Sequence, residues 1–426
     1  MIRSKSGKIR WGGGYASGRI QFVHTYEDII SVENLLAAWG EFVRGKRKKK
    51  DVQEFQYKLM DNILALHHDL AAGTYKHGGY KAFKISDPKP RDIHKASVRD
   101  RLLHHALYRQ LYPFFDRTWI ADSYSCRRGK GTHRAMNRFR EFAYKASRNH
   151  TRTCWVLKCD IRKFFASIDH QTLFDILATY IPDERTAALL VEVVGSFSTN
   201  RTSNKCPQYY TTARIVDTQL PKGLPLGNLT SQLLVNVYMN EFDQFVKHKL
   251  KARYYVRYAD DFVILDAMRS NLTTLLPKIH SFLSKRLRLD LHPDKVSIAT
   301  FASGVDFLGW VHFPNHRVMR TATKRRMHRR IEETKGKKET VESYLGLLSH
   351  GNARKIGSTV AVQKNSVECA DYARNNAEGL QQSVHPRGDY YCGNYYWYLT
   401  YRCAFTCDGS SGWWGNRCKG REYFGC

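Results

Sequence analysis

Three aspartates have the types and spacing to do chemistry together. Asp160 ends the short apolar run Trp155–Cys159 and precedes the aromatic pair Phe164 and Phe165. Asp260 and Asp261 sit side by side in Tyr258-Ala259-Asp260-Asp261, between Tyr254–Tyr258 and Phe262–Leu265. Both flanks are rich in β-formers, so the segment reads as a hairpin with acids at its tip. Mg²⁺ takes oxygen ligands, few of them protein carboxylates, with water and phosphates completing its octahedron. Two such ions about 3.5–4 Å apart activate an attacking hydroxyl and steady a leaving pyrophosphate, the chemistry of nucleotidyl transfer. The tetrapeptide alone is a weak signal, because aspartates favour turns anyway. Its apolar flanks strengthen it, since they bury both arms and leave only the tip to carry acid.

Elements that must position these acids follow from periodicity. Ile29, Val32, Leu35, Leu36 and Phe42 recur at helix spacing, and after the basic run Arg44–Lys50 the pattern resumes through Phe55, Leu59, Ile63, Leu64 and Leu66 to about Ala71. Tyr80–Ile85 reads as extended and is followed by the turn Asp87-Pro88-Lys89-Pro90, where two prolines forbid helix. Residues 97–115 form an amphipathic helix with Leu102, Leu103, Ala106, Leu107 and Leu111 on one face. Trp155–Lys158 is a short strand. Asn228 is placed to cap a long helix running to about Leu250, with Leu229, Leu233, Val237, Phe242 and Val246 inward. Asp169 is read as the cap of the next helix, and Asp266 and Asp306 as structural.

The charge balance narrows the partner. Lys plus Arg number 69 against 39 Asp plus Glu, a net +30 spread along 426 residues. Charge of that size points to a polyanion, most commonly nucleic acid. The basic runs 44–50 and 324–338 suit phosphate-backbone contact, with a solvated helical face as the bland alternative. No run of about 18 apolar residues occurs, and the basic start has no apolar stretch after it, so neither a membrane span nor a secretory signal is expected. Eighteen histidines show no paired-ligand spacing that would suit a catalytic zinc. The scattered cysteines outside the last 35 residues fit reduced cytosolic thiols, and a cytoplasmic protein is expected.

The motifs around the acids resemble those of reverse transcriptases. CDIRKFFASIDH (159–170), GLPLGNLTSQLLVNVYMNEFD (223–243) and RYADDFVIL (257–265) look like their three catalytic motifs in order. KPRDIHKASVRDRLLHHAL (89–107) is similar to their fingers segment, HPDKVSIAT (292–300) to the motif after the catalytic hairpin, and VDFLGW (305–310) to the primer grip. Among reverse transcriptases, YSCRRGKGTH (124–133), LPLGNLTSQ and SYLGLLSHGNARKI (343–356) resemble the diversity-generating retroelement type of bacteria and phages.

The resemblance implies a right-hand α+β polymerase: fingers, a palm of antiparallel sheet backed by helices, and a helical thumb. It implies two Mg²⁺ ions, with Mn²⁺ able to substitute, on Asp160, Asp260 and Asp261, with Ile161 in the same metal set. Arg91 and Lys89 would hold the triphosphate, a solvated turn being the alternative. Phe165 would exclude a 2′-hydroxyl, or else be a core aromatic beside Phe164. Gly227 would let backbone approach the nucleotide, with Leu226 and Gln232 near the same pocket. Lys295 would protonate the leaving pyrophosphate, or else be a surface lysine. Most reverse transcriptases carry glutamine where this chain has Leu226, and losing that amide would relax base selection opposite template adenine. The implied partners are an element-encoded RNA template, the cDNA/RNA duplex, dNTPs and a small basic helical accessory protein, in a bacterial or phage-infected cell. A group II intron- or retron-type enzyme and a non-catalytic nucleic-acid-binding protein are the competing readings.

The expected organisation is a basic arm (1–24), fingers with the start of the palm (25–150), palm (151–312), thumb (313–358) and a tail (359–426). The tail is dense in glycine, aromatics and Cys392, Cys403, Cys407, Cys418 and Cys426, with few aliphatic residues to build a core. Its cysteine spacings match no common zinc finger. Stacking of single-stranded nucleic acid on Tyr395, Tyr396, Trp397 or Trp413, or a run-on into neighbouring sequence, are the other readings.

Overall fold

The structure is a computed structural model that describes residues 19–86, 90–199, 221–353, 356–358 and 360. Most of the arm, Asp87–Lys89 of the proline turn and the cysteine-bearing tail after Val360 lie outside the described residues. Two compact units emerge. The first takes the described residues up to Arg329 and those from Gly346 to Ala353, and carries every element discussed below except parts of the last two helices.

The N-terminal region is helical: α1 (Tyr26–Ile30), α2 (Val32–Phe42), α3 (Lys50–Tyr57) and α4 (Leu59–Ala71). The single periodic stretch expected from Ile29 to Phe42 is broken at Ser31, whose hydroxyl accepts from Asn34 N–H and so starts α2 afresh. The exposed hairpin β1 (Lys81–Ile85) and β2 (Arg91–Lys95) follows. Next come α5 (Val98–Asp116), α6 (Thr132–Ala146), β3 (Trp155–Cys159), α7 (Phe164–Ser167), α8 (His170–Ala178) and α9 (Glu184–Gly195). Asp169 caps α8 as expected, accepting from Thr172 N–H at 2.9 Å.

Beyond these lie α10 (Leu229–Gln244), β4 (Tyr254–Tyr258), β5 (Asp261–Asp266), α11 (Arg269–Leu287) and β6 (Ser297–Thr300). The small sheet β7 (Val305–Phe307), β8 (Trp310–His312) and β9 (Arg317–Met319) precedes α12 (Thr321–Glu333) and α13 (Lys338–Leu348). Two expectations about α10 need correction. Asn228 has the backbone of a cap residue, but its buried amide makes no capping bond and both its side-chain polar atoms lack partners. The α-helix also ends at Gln244. A π-helical turn, Phe245–Lys249, carries the chain on, and there Phe245 stacks on Phe282 at 4.1 Å, so packing against α11 decides that turn.

The central sheet has the order β4-β5-β3-β6, all antiparallel. Alternate residues feed two hydrophobic clusters. Leu157, Cys159, Tyr255, Phe262 and Ile264 join the large cluster with α2, α5, α10 and α11, whereas Val156, Val256, Val263 and Leu265 join a second with Phe139 and Phe142 of α6. Both faces are therefore covered, which is why the strands read as near-continuous apolar runs.

Arg257 is the exception to that apolarity. It is 1% exposed on the helical face, and each of its five N–H groups has an acceptor. Nε and Nη2 donate to Asp243 of α10 at 2.8 and 2.7 Å, Nη2 also to Ser123 Oγ at 3.0 Å, and Nη1 to Asn236 Oδ1 at 3.4 Å and to the Ala259 carbonyl at 3.1 Å. Ala259, at φ +55°, is the first residue of the two-residue hairpin turn, a conformation that glycine usually supplies. The buried ion pair thus ties the tip of the hairpin to α10. Arg257→Met should lower unfolding stability by about 3–5 kcal/mol, because Asp243 is left charged and unpaired. In urea titration followed by circular dichroism, Asp243→Leu added to Arg257→Met should recover at least half of that loss. A double variant as unstable as the single one would show that the pairing is not the cause.

Candidate active site

Register alone brings two acids face to face. β3 pairs Cys159 with Phe262, so the next residue on β3, Asp160, stands opposite Asp261. Cross-strand neighbours have Cβ atoms about 4.5–5.5 Å apart, so both carboxyls share one end and one face of the sheet. Asp260 completes the group from the hairpin turn, which Tyr258 and Asp261 close.

The other flank is set by a break in pairing. β6 pairs with β3 from Thr300–Trp155 to Ser297–Lys158, and pairing resumes beyond Asp160 at Ile161–Leu291. His292 N–H donates to the Asp160 carbonyl at 2.8 Å, and Arg162 N–H to that of Asp290 at 2.9 Å. Between the two stretches the partner strand bulges out as a 3₁₀ turn, Pro293–Lys295. This excursion lies opposite Asp160, and Lys295 Nζ donates from it to Asp160 Oδ2 at 3.0 Å.

Electrostatics report the crowding. Burial raises the Asp260 carboxyl above its ordinary range and Asp160 raises it further, while Lys295 and Arg91 only partly offset this. Asp261 is pushed up to about 6 by burial first and by the charge of Asp260 next, against the opposing pull of Lys158. Among the described residues no three His, Cys, Asp or Glu side chains form a ready cage for a metal. Mg²⁺ does not need one, since it commonly takes one or two carboxylates plus substrate phosphates. Two half-buried carboxyls that resist ionisation beside a third, with a lysine ammonium already drawn onto it, are a donor set short of positive charge. The residues fit divalent cations.

The residues expected on the nucleotide side lie on the hairpin β1–β2 and the loop before α10. Arg91 opens β2, is exposed, and lies near enough to Asp260 to act on its carboxyl. His94 N–H donates to the Leu226 carbonyl at 3.0 Å, fixing that loop against β2. Gly227 takes φ +106°, and a Cβ there would come within 3.0 Å of Ile93 Cγ2, so both conformation and space ask for glycine. Leu226 and Gln232 are half-buried, Gln232 on the first turn of α10. Phe165 is half-buried and edge-on to Phe164 at 5.5 Å, and its carbonyl accepts from Leu224 N–H at 2.8 Å. Ile161 is buried in the core, so only its backbone is available to a cation. Lys89 lies outside the described residues. Lys158, whose charge favours ionised Asp261, was not singled out from the sequence. Its position two residues before Asp160, on the same strand face, is the signal that would have found it.

Residues 84–312 match the family model described as reverse transcriptase (RNA-dependent DNA polymerase). The chain belongs to the reverse transcriptase family. Its right-hand polymerase fold is the α+β architecture of that family. Protein YkfC of Escherichia coli K12 is 24% identical over 303 residues, covering 62% of this chain and 73% of that one. The group II intron-encoded protein LtrA of Lactococcus lactis is 22% identical over 354 residues, 68% of this chain and 54% of that one. A solved structure of apo telomerase from Candida tropicalis, truncated from its C-terminal domain, aligns at 11% identity with a TM-score of 0.40, covering 61% of this chain and 60% of that one. This family member thus spans about half the length of LtrA.

The raised Asp261 carboxyl has a signed consequence. It binds a proton more readily folded than unfolded, where its pKa is about 3.9. Its contribution to stability is therefore present below about pH 4 and lost as the pH rises through about 6. In chelator-treated protein at pH 7, Asp261→Asn should melt higher than the parent by on the order of 2 °C, with the gap closing towards pH 4. Mg²⁺ should raise the melting temperature of the parent more than that of the variant. A gap independent of pH would remove the raised carboxyl from the account.

Proposed function

We propose that this chain is an RNA-directed DNA polymerase of the diversity-generating retroelement type, making cDNA from an element-encoded RNA template with errors at template adenines. The observation that supports polymerisation best is the juxtaposition of Asp160, Asp260 and Asp261 at one end of the palm sheet, on the register of three neighbouring strands. In this reading fingers occupy 25–150, palm 151–312 and thumb 313–358.

The three aspartates would hold two Mg²⁺ ions, which when bound supply activation of the primer 3′-hydroxyl and charge neutralisation at the leaving pyrophosphate. Arg91, with Lys89, binds the triphosphate of the incoming dNTP through charge-assisted hydrogen bonds. Gly227 and the backbone beside it leave room for the nucleotide, and Phe165 excludes a ribose 2′-hydroxyl. Lys295 holds its proton at Nζ beside Asp160, placed to give it to the pyrophosphate oxygen. The exposed basic helix α12 contributes phosphate-backbone contacts to the cDNA/RNA duplex. A small basic helical accessory protein completes the assembly. No helix among the described residues is long and apolar enough to cross a membrane.

Leu226 carries the subclass. An aliphatic side chain cannot hydrogen-bond the nascent pair where an amide would, so discrimination rests on shape alone. The similarity to a group II intron protein favours a second reading, an intron- or retron-type enzyme.

Primer extension on an RNA template with Mg²⁺ separates these possibilities. Asp260→Asn should lower the extension rate by about 10³-fold or more, and a variant as active as the parent would end the polymerase reading. Sequencing of the cDNA should show errors concentrated at template adenines, reduced about tenfold in Leu226→Gln. Evenly distributed errors in the parent would transfer the assignment to the intron or retron type.

A further inference from the structure

A chain of buried polar side chains runs from the fingers to the loop that faces the nucleotide. His77 lies between α4 and β1, His104 is buried in the middle of α5, and Thr230 is buried in the first turn of α10, three residues after Gly227. Thr230 Oγ1 lies 2.8 Å from His104 Nδ1, His104 Nε2 lies 3.0 Å from His77 Nε2, and His77 Nδ1 lies 2.6 Å from the Gly78 carbonyl. The Gly78 carbonyl can only accept, so His77 Nδ1 carries a hydrogen. One hydrogen lies between His77 Nε2 and His104 Nε2, and another between His104 Nδ1 and the Thr230 hydroxyl, so the three side chains form one continuous hydrogen-bonded chain. Burial, reinforced by His77, holds the His104 imidazole down to about 3, which keeps it neutral.

A second brace meets the first. Tyr80 stacks on His77 with centroids 5.0 Å apart and donates to Ser196 Oγ at 2.8 Å, the Ser196 hydrogen being used on the Val193 carbonyl. Tyr80 also meets His94 edge-on at 6.4 Å, and His94 N–H holds the Leu226 carbonyl. The loop Leu226–Asn228 is therefore gripped on its N-terminal side by His94 and on its C-terminal side by Thr230. Both grips return to the same pair of rings, His77 and Tyr80. Hydrophobic burial alone would not need a hydroxyl at Thr230 or a ring nitrogen aimed at it. A directional, fully satisfied chain is what fixes one position among several.

We propose that Thr230, His104 and His77 are positioning residues that set the Leu226–Asn228 loop at the height required for dNTP binding. This deepens the polymerase reading and rests on it. None of the three touches the reacting atoms in this account. Their effect passes through the loop, so it falls on nucleotide binding rather than on the chemical step.

The test is single-nucleotide insertion by the full chain on an RNA template, with hydrogen–deuterium exchange on the same proteins. Thr230→Val keeps the shape and removes the hydroxyl, whereas Thr230→Ser keeps it. Thr230→Val should raise KM for the dNTP about tenfold, with kcat within about twofold, and Thr230→Ser should stay near the parent. Residues 224–232 should exchange faster in Thr230→Val while the rest of α10 keeps its protection. A fall in kcat or melting temperature at unchanged KM would assign the chain of contacts to stability alone and overturn the inference, as would unchanged exchange in the loop. A parent that cannot extend the primer would overturn the polymerase reading instead, and the exchange comparison would still decide whether Thr230 holds the loop.

Discussion

The hairpin that presents Asp260 and Asp261 depends on one buried ion pair. Arg257 and Asp243 sit at 1% and 0% side-chain exposure beneath the hairpin, where an unpaired charge would be intolerable and a paired one must have every donor matched. The guanidinium meets that demand by reaching three parts of the structure beyond its own strand: α10 through Asp243 and Asn236, the segment after α5 through Ser123, and the turn through Ala259. Tyr255 adds its hydroxyl to Asp243 at 2.7 Å. The turn that presents Asp260 is thus held from below by a charge that has no alternative partner. A left-handed alanine persists there because the surroundings over-determine it.

The carboxylates above obey the opposite logic. Arg257 is saturated, whereas Asp160, Asp260 and Asp261 share too little positive charge, and burial raises two of them. The cations near them, Lys295, Arg91 and Lys158, lie on separate elements, the 3₁₀ bulge, the fingers hairpin and β3. A chain with a net charge of +30 therefore keeps a local deficit of positive charge at one point of its surface. Long-range attraction for a polyanion and short-range demand for a cation coexist because screening confines the second to a few ångströms, while the first acts as a field over the whole surface.

How much of this could be read from the sequence depends on separation along the chain. The β3–β5 register that aligns the acids is a long-range pairing, but the strands around Asp160 and Asp260–Asp261 were legible because apolar patterning is local. Helix α5 was legible for the same reason, with Ser97 as its cap. Asn228 misled, since cap position is local but the direction of a buried amide is decided by tertiary packing. The π turn at Phe245 was likewise set by a partner remote in sequence, Phe282, whereas the split at Ser31 and the meander β7–β9 rest on neighbours close in the chain. Lys295 shows the limit well. Its pairing with Asp160 spans 135 positions and depends on a bulge whose length no local pattern announces.

Two rigid supports of different chemistry meet at the site, and the difference has meaning. The hairpin is fixed by a charged pair, strong and hard to rearrange, which suits acids that must hold the same place in every turnover. The loop at Leu226–Asn228 is fixed by neutral hydrogen bonds through His104 and by one backbone bond from His94, each of modest net strength. A restraint of this kind, weaker and directional, lets the loop move by small amounts and return. The position where glutamine is usual and leucine is found lies inside that softer restraint. On the proposed function, selectivity there would be a property of how the loop is held as well as of which side chain it carries.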